Sequence, residues 1–283
     1  MPAIPPLRRH PSQTQNVLGI NWANPITQGL KFAGISQGDG SLRNLVTGAA
    51  GTRAGSAKKP TGGIGDGGAN VKFNGISVGE SYLDFGLDAN VVNFASSSNP
   101  GTVFMWVYGD HTTSNVGALA CRNDSNSNNI GWALGVTSGK LLLVRENSST
   151  NTNAQSVASF PQRTWTSVAA AVQWGAPPIS SGLNLYIGGQ DAGVSYNGAG
   201  SGTNASDSGQ SLRIGTANFL TAGNGDWDGN IEIALFWNRI LSAQEIKAIH
   251  DNRFQLFFGR RRNVYFKTPT GATILRRPVV MVM

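Results

Sequence analysis

Short apolar runs separated by glycine, asparagine and serine set the rhythm of this chain, and that rhythm predicts strands. The clearest is Thr102 to Tyr108, bounded by Pro100-Gly101 and Gly109-Asp110. Val103, Met105 and Val107 share one face, and Phe104, Trp106 and Tyr108 share the other. With both faces apolar, this strand is expected in the middle of a sheet that is covered on both sides. Ile130 to Val136 and Lys140 to Glu146 follow as a hairpin closed by Thr137-Ser138-Gly139. Trp165 to Trp174 is a long strand rich in Val and Ala, and Leu183, Leu185 and Ile187 alternate with Asn184 and Tyr186 before Gly188-Gly189. Ser211 to Gly215 and Asn230 to Trp237 complete the series, the last with Ile231, Ile233, Leu235 and Trp237 on one face. The polar stretches 121–129, 147–153 and 195–209 read as loops. Many short strands with Gly and Asn turns predict an antiparallel β-sandwich.

One helix interrupts the pattern. Ser242 and Glu245 have the spacing of a capping box, and Leu241 and Ile246 that of a hydrophobic staple. Ile246 and Ile249 continue one apolar stripe, which predicts a short helix laid against the sheet. Phe254, Leu256, Phe257 and Phe258 then form an apolar knot, followed at once by Arg260, Arg261 and Arg262. The opening MPAIPPLRRHPSQTQ is Pro-rich and basic and reads as an extended arm. Residues 47–70, dominated by Gly, Ala, Ser and Lys, read as a flexible connection. The chain closes on PVVMVM, an apolar run that pairs either with another chain or with the edge of its own sandwich. These signals divide the chain into a basic arm and connector over 1–69, a sandwich over 70–252 and a second basic arm over 253–283.

Charge sharpens this division. Only 13% of the 283 residues are charged, against about 25% in ordinary soluble domains. Residues 1–60 hold seven basic side chains and one acidic, residues 253–283 hold seven basic and none acidic, and the stretch between them holds eight basic and fourteen acidic. Basic arms of this kind point to an acidic partner. An acidic protein surface suits them better than nucleic acid: the arms lack the aromatic interleaving of a single-strand groove, and no helix-turn-helix, zinc-finger or RNA-binding motif is present. A single cysteine excludes an internal disulfide and a cysteine-based zinc site. No apolar run approaches the roughly 18 residues of a spanning helix, and the first residues lack the apolar core of a secretion signal. Synthesis in the cytoplasm without a membrane partner is therefore expected.

Four segments carry a family resemblance: TVFMWVYG, TWTSVAAAVQW, GLNLYIGG and SLRIGT. With the closing WDGNIEIALFWNRILSAQEIKAIH, they make residues from about 70 to 252 resemble the laminin-G-like members of the concanavalin A-like lectin/glucanase superfamily. The resemblance implies a jelly-roll sandwich of two curved sheets. The flanks WANPITQGLKFA and NRFQLFFGRRR look like the opening and the N-P-W-Q-L-F tail of laminin-G-like proteins of tailed bacteriophages, with Arg253 where Pro is usual and Phe254 where Trp is usual.

Candidate chemistry is sparse. A glucanase of the superfamily has the pattern E-x-D-x-x-E; here Glu232-Ile233-Ala234 has Ala in place of Asp and no Glu beyond, so hydrolysis is not expected. His10, His111 and His250 lie on an arm, a turn and a helix end, with no G-x-S-x-G nearby, and read as solvated. Asp226, Asp228 and Asn230 offer oxygens at alternate positions, either for calcium or as a tight turn before a strand. Trp132, Trp174, Tyr196 and Trp227 are candidate sugar platforms or else core residues; Trp106, Trp165 and Trp237 sit on strongly apolar strands and read as core.

Together these features predict a non-enzymatic structural protein of a phage particle, a head-decoration or a fibre or tail attachment subunit, docked through its arms. Its expected partners are the major capsid or tail protein and further copies of itself, most simply as a trimer that covers the apolar end. Arg8, Arg9, Arg260, Arg261, Arg262, Arg276 and Arg277 are then its assembly contacts. The alternative is a carbohydrate-binding adhesin that recognises host polysaccharide.

Overall fold

Strand follows strand along the whole described chain. The opening third supplies β1 (Val17–Ile20), β2 (Leu30–Ser36), β3 (Leu42–Asn44), β4 (Thr52–Ala54), the hairpin β5 (Thr61–Gly65) and β6 (Gly68–Phe73), and β7 (Tyr82–Asp84). The middle supplies β8 (Pro100–Gly109), β9 (Gly117–Asn123), β10 (Gly131–Thr137), β11 (Lys140–Glu146), β12 (Thr150–Ser159) and β13 (Thr166–Gln173). After β14 (Leu183–Ile187), β15 (Gln190–Asp191), β16 (Val194–Ser201), β17 (Arg213–Ile214) and β18 (Gly229–Trp237) come helix α1 (Ala243–Asp251) and β19 (Phe257–Gly259). The computed structural model describes residues 17–54, 60–65, 68–73, 81–87, 99–109, 117–123, 131–146, 150–173, 181–202, 207, 209–217 and 225–259.

Two antiparallel sheets form the sandwich. One runs β16-β12-β11-β10-β9-β17-β7-β4, the other β15-β14-β13-β8-β18-β2-β3, with the β5–β6 hairpin paired to the first residues of β18. The sequence marked β8 as central, and it lies between β13 and β18 with nearly every residue buried. The hairpin of β10 and β11 closes on Ser138 and Gly139, both at positive φ, the backbone that a two-residue turn of this type requires.

Between the sheets lies one core, built from Phe32, Val103, Met105, Trp132, Leu134, Leu143 and Phe236 among others. A second core covers the other face of the β8–β18 sheet, where Phe104, Trp106, Leu235 and Trp237 meet Ile246 and Ile249 of α1 and Leu256 and Phe257 beyond it. The expected capping box holds the helix start: Ser242 Oγ accepts from Glu245 N, and the Glu245 carboxylate accepts from Ser242 N at 2.8 Å. Arg239 grips the same carboxylate at 2.7 and 3.1 Å and also donates to the carbonyls of Ile26 and Gln28. One arginine thus ties the end of β18, the helix and the chain's opening segment together.

Four expectations are corrected here. Residues 17–69 are not an arm and connector to a sandwich that begins at 70: β2 lies beside β18 with Phe32 and Ile35 buried, and β4 is a sheet edge. Their pairing is made by backbone groups, so glycine-rich and polar residues serve it. Of the stretch 147–153, residues 150–153 form the start of β12, and of 195–209, residues 195–201 form the greater part of β16, and the two strands pair; 147–149, 203–206 and 208 lie outside the described residues. Residues 121–123 belong to β9, and the rest of the expected loop at 124–129 lies outside the described residues. Finally, Ile231 does not share a face with Ile233. A bulge between them turns Ile231 into the inter-sheet core with Ala234 and Phe236, while Ile233, Leu235 and Trp237 face the helix.

Candidate functional site

The bulge in β18 also places the carboxylate that hydrolases of this fold would use. Glu232 is 3% exposed, and Arg253 Nε donates to its Oε2 at 2.9 Å. The Arg253 guanidinium lies 4.6 Å from the ring centre of Trp106 and 5.0 Å from that of Phe254. So Arg253, just after α1, has a partner, and the carboxylate is held as an ion pair against an indole face. The His250 ring also stands near Trp106, 5.3 Å between centres, with its Nδ1 3.0 Å from Ser167 Oγ on β13. Burial pushes the His250 pKa down, with Lys247 and Arg253 adding to the effect and Asp251 opposing it. His250 is thus a half-buried brace between helix and sheet, not the solvated side chain expected. Ser167 is 1% exposed, so substrate has no access to its hydroxyl.

The predicted sugar platforms are displaced from the surface. Trp132 and Trp227 are both 0% exposed; their rings meet Phe236 and Phe160 edge-on, each at 6.1 Å between centres. Trp227 fits because Gly109 and Gly229 leave a slot: a Cβ on Gly109 would run into the indole, and one on Gly229 would strike the Tyr108 carbonyl and crowd the indole nitrogen. Tyr196 packs against the inter-sheet core, and burial raises the pKa of its hydroxyl. Trp174 lies outside the described residues. Of the core assignments, Trp106 and Trp237 are buried and Trp165 half-buried.

The calcium trio is divided. Asp226 is buried and bridges to Ala118 through its backbone, Asp228 is exposed, and Asn230 donates from Nδ2 to Asn70 Oδ1 at 2.7 Å. Among the described residues no group of three or more His, Cys, Asp or Glu side chains gathers to hold a metal ion. Two arginines that the sequence pattern did not single out flank Trp132 in register: Arg122 on β9 and Arg145 on β11. Arg122 Nε donates to the carbonyls of Asp207 and Gln210 at 2.9 and 3.1 Å, and burial brings the Arg145 pKa down to about 10.

Two features reach the surface. β1 and β19 form a short antiparallel ribbon in which Val17 stands opposite Gly259, with Ile20 and Phe257 buried in the helix-side core. The segments 1–16 and 260–283, which lie outside the described residues, are therefore joined to the body at one place. They carry Arg8, Arg9, Arg260, Arg261, Arg262, Lys267, Arg276 and Arg277, eight of the chain's 22 basic residues, and no acidic residue. The other feature is Trp22, 58% exposed. Sequence reasoning passed over it, although the Asn24-Pro25 pair beside it marks a turn.

A laminin-G family profile, Laminin_G_3 of the concanavalin A-like lectin/glucanases superfamily, matches residues 79–247. The chain belongs to this superfamily. Its jelly-roll sandwich also resembles solved structures. Domain 4 of AbnA, a GH43 extracellular arabinanase from Geobacillus stearothermophilus in complex with arabinotriose, is 18% identical with a TM-score of 0.54, over 78% of this chain and 98% of that one. The binding domain of Paraclostridial Mosquitocidal Protein 1 is 11% identical with a TM-score of 0.57, over 81% of this chain and 53% of that one. Trypanosoma rangeli sialidase in complex with sialic acid is 15% identical with a TM-score of 0.53, over 81% of this chain and 34% of that one. These likenesses are of fold. No curated protein sequence matches the chain. Within this lectin-like domain, β1 to β6 and β19 lie outside the residues that the profile matches.

Proposed function

We propose that the chain is a non-enzymatic attachment subunit of a phage particle: a lectin-like sandwich fastened to an acidic protein surface through the pole from which both basic segments leave. The observation that carries this reading is the pairing of Val17 with Gly259. It brings to one place the points where 1–16 and 260–283 join the body; those segments hold eight basic residues, and the body holds the remaining 14 basic and all 15 acidic residues. Charge concentrated on one side of a near-neutral body orients its docking as well as attracting its partner. The non-enzymatic part is supported by Glu232, buried and committed to Arg253, and by the inaccessible Ser167. On this reading the subunit works in the virion as a homo-oligomer, most simply a trimer, on the capsid or tail protein.

Counting this chain against the major shell protein in purified particles tests the proposal. Hundreds of copies place it on the head and a handful on the tail or a fibre; absence from the particle rejects it. A second reading, saccharide recognition, draws support from the arabinotriose bound to the similar arabinanase domain.

A further inference from the structure

Every fully described tryptophan but one is buried or half-buried; Trp22 stands in solvent. It does so on a turn that is held firmly. Asn24 N donates to Asn21 O at 2.9 Å and closes the turn, while Asn21 N donates to Leu256 O at 2.8 Å and Trp22 N to Ile20 O at 3.1 Å. The Asn24 side chain accepts from Ile26 N at 3.0 Å and donates to Gln255 O at 3.4 Å, and Thr27 Oγ1 donates to Asn24 O at 2.6 Å. Just beyond, the Ile26 carbonyl takes the indole N–H of the buried Trp237 at 2.7 Å, which anchors the loop to the core. A loose loop would let an exposed indole fold back onto apolar surface; this one presents it.

Beside the turn are two amide groups whose hydrogen-bonding capacity is unused. Asn21 Oδ1, an acceptor, and Gln255 Nε2, a donor, are enclosed and have no hydrogen-bond partner. The turn's contacts with Leu256 O and Gln255 O bring the two residues onto adjoining segments. Enclosed polar atoms without partners are unfavourable, and a group that satisfies them is favoured. Both residues are half-buried while these two atoms are enclosed, so contact with a ligand requires each side chain to turn outward.

From these observations the geometry points to a saccharide-binding site on the Asn21–Asn24 turn. The apolar C–H face of a sugar ring stacks on Trp22, and its hydroxyls donate to Asn21 Oδ1 and accept from Gln255 Nε2. The stretch Asn21-Trp22-Ala23-Asn24-Pro25 has no charged side chain, which fits a neutral polyol. A protein partner needs an apolar patch of several neighbouring residues, and those beside Trp22 are small or polar. The site lies outside residues 79–247, which the family profile matches. It rests on the saccharide reading above and gives that reading a place.

The test is affinity gel electrophoresis of the full chain in gels cast with arabinan, dextran or galactan. At least one polysaccharide is expected to retard the wild-type protein. Trp22→Ala should weaken that retardation tenfold or more, Trp22→Phe should keep it within threefold, and Asn21→Ala should fall between them. The melting temperature of Trp22→Ala should match wild type, because the side chain is exposed. Equal retardation of Trp22→Ala and wild type overturns the site and leaves saccharide recognition standing. No retardation of wild type by any of the three overturns both. Unchanged retardation with loss of oligomer or of particle incorporation makes the turn a protein contact and overturns the assignment.

Discussion

In the helix-bearing sheet, β8 and β18 bury large apolar side chains on both faces, whereas β12 in the facing sheet buries Thr152, Ala154 and Ser156 on one face and leaves Asn151, Asn153 and Gln155 half-exposed on the other. The two kinds of strand are held differently. Removal of apolar area from water holds β8 and β18. In β12 the ladder to β11 and β16 is joined by side-chain bonds such as Ser156 Oγ, which accepts from Leu141 N at 3.0 Å and donates to Ala158 O at 2.6 Å. A sandwich can therefore hold a largely polar strand beside apolar ones such as β10 and β11 if that strand satisfies its own polar groups.

The largest effects should come from the two faces of β18. Phe236→Ala and Trp237→Ala remove adjacent, fully buried rings, the first from the inter-sheet core and the second from the helix-side core. Each should cost about 3–5 kcal/mol in urea unfolding. A loss under about 1 kcal/mol for Trp237→Ala would show that the helix side is packing without a core. Ser156→Ala in β12 comes next, at about 1–2 kcal/mol, because it leaves the Leu141 amide unsatisfied. If it is neutral, the polar strand is not held as described.

Smaller effects depend on pH. Hydrogen bonds from Arg239 hold the Glu245 carboxyl below its ordinary range. A lowered carboxylate pKa stabilises above the unfolded value and loses that contribution as pH falls through the folded one. Glu245→Gln should therefore lower the melting temperature at pH 7, and the gap should close as pH falls below the ordinary carboxylate range and Glu245 takes up its proton in the folded chain. A gap that persists in acid would assign the effect to packing. The smallest shift belongs to His250, whose pKa is lowered by burial. The unfolded chain takes up a proton near pH 6.5 that the folded chain resists, so stability falls as pH drops through that value. His250→Gln keeps an acceptor for Ser167 and should remove this slope, an effect under about 1 kcal/mol after screening by solvent. An unchanged slope between pH 7.5 and 5.5 would place the proton elsewhere.

The same contrast explains what was legible in the sequence. β8, the β10–β11 hairpin and the capping box around Ser242 announce themselves in local pattern, because their partners surround them on every side or lie within a few residues. β12 and β16 are hidden, since Thr, Ala, Ser and Gly at inward positions look like loop composition. The site residues fared worse for a spatial reason. The burial of Trp227 depends on a slot between Gly109 and Gly229, and the partner of Glu232 is Arg253, contacts that no single window of sequence contains. Trp22 was hidden in the opposite sense: large aromatics are mostly buried, and only the turn that carries it reveals that it faces water.

The β1–β19 ribbon has a mechanical consequence. Because Val17 and Gly259 are opposite each other at its open end, tension on the two chain ends acts across the strands and loads one pair at a time, as in a zipper. Gly259 parts from Val17 first, then Phe258 from Gly19 and Phe257 from Ile20, while the interlocked strands of the sandwich bear no load. A domain tethered by both ends at this pole can thus lengthen its leash under force and rewind it when the force is released, with its body folded throughout.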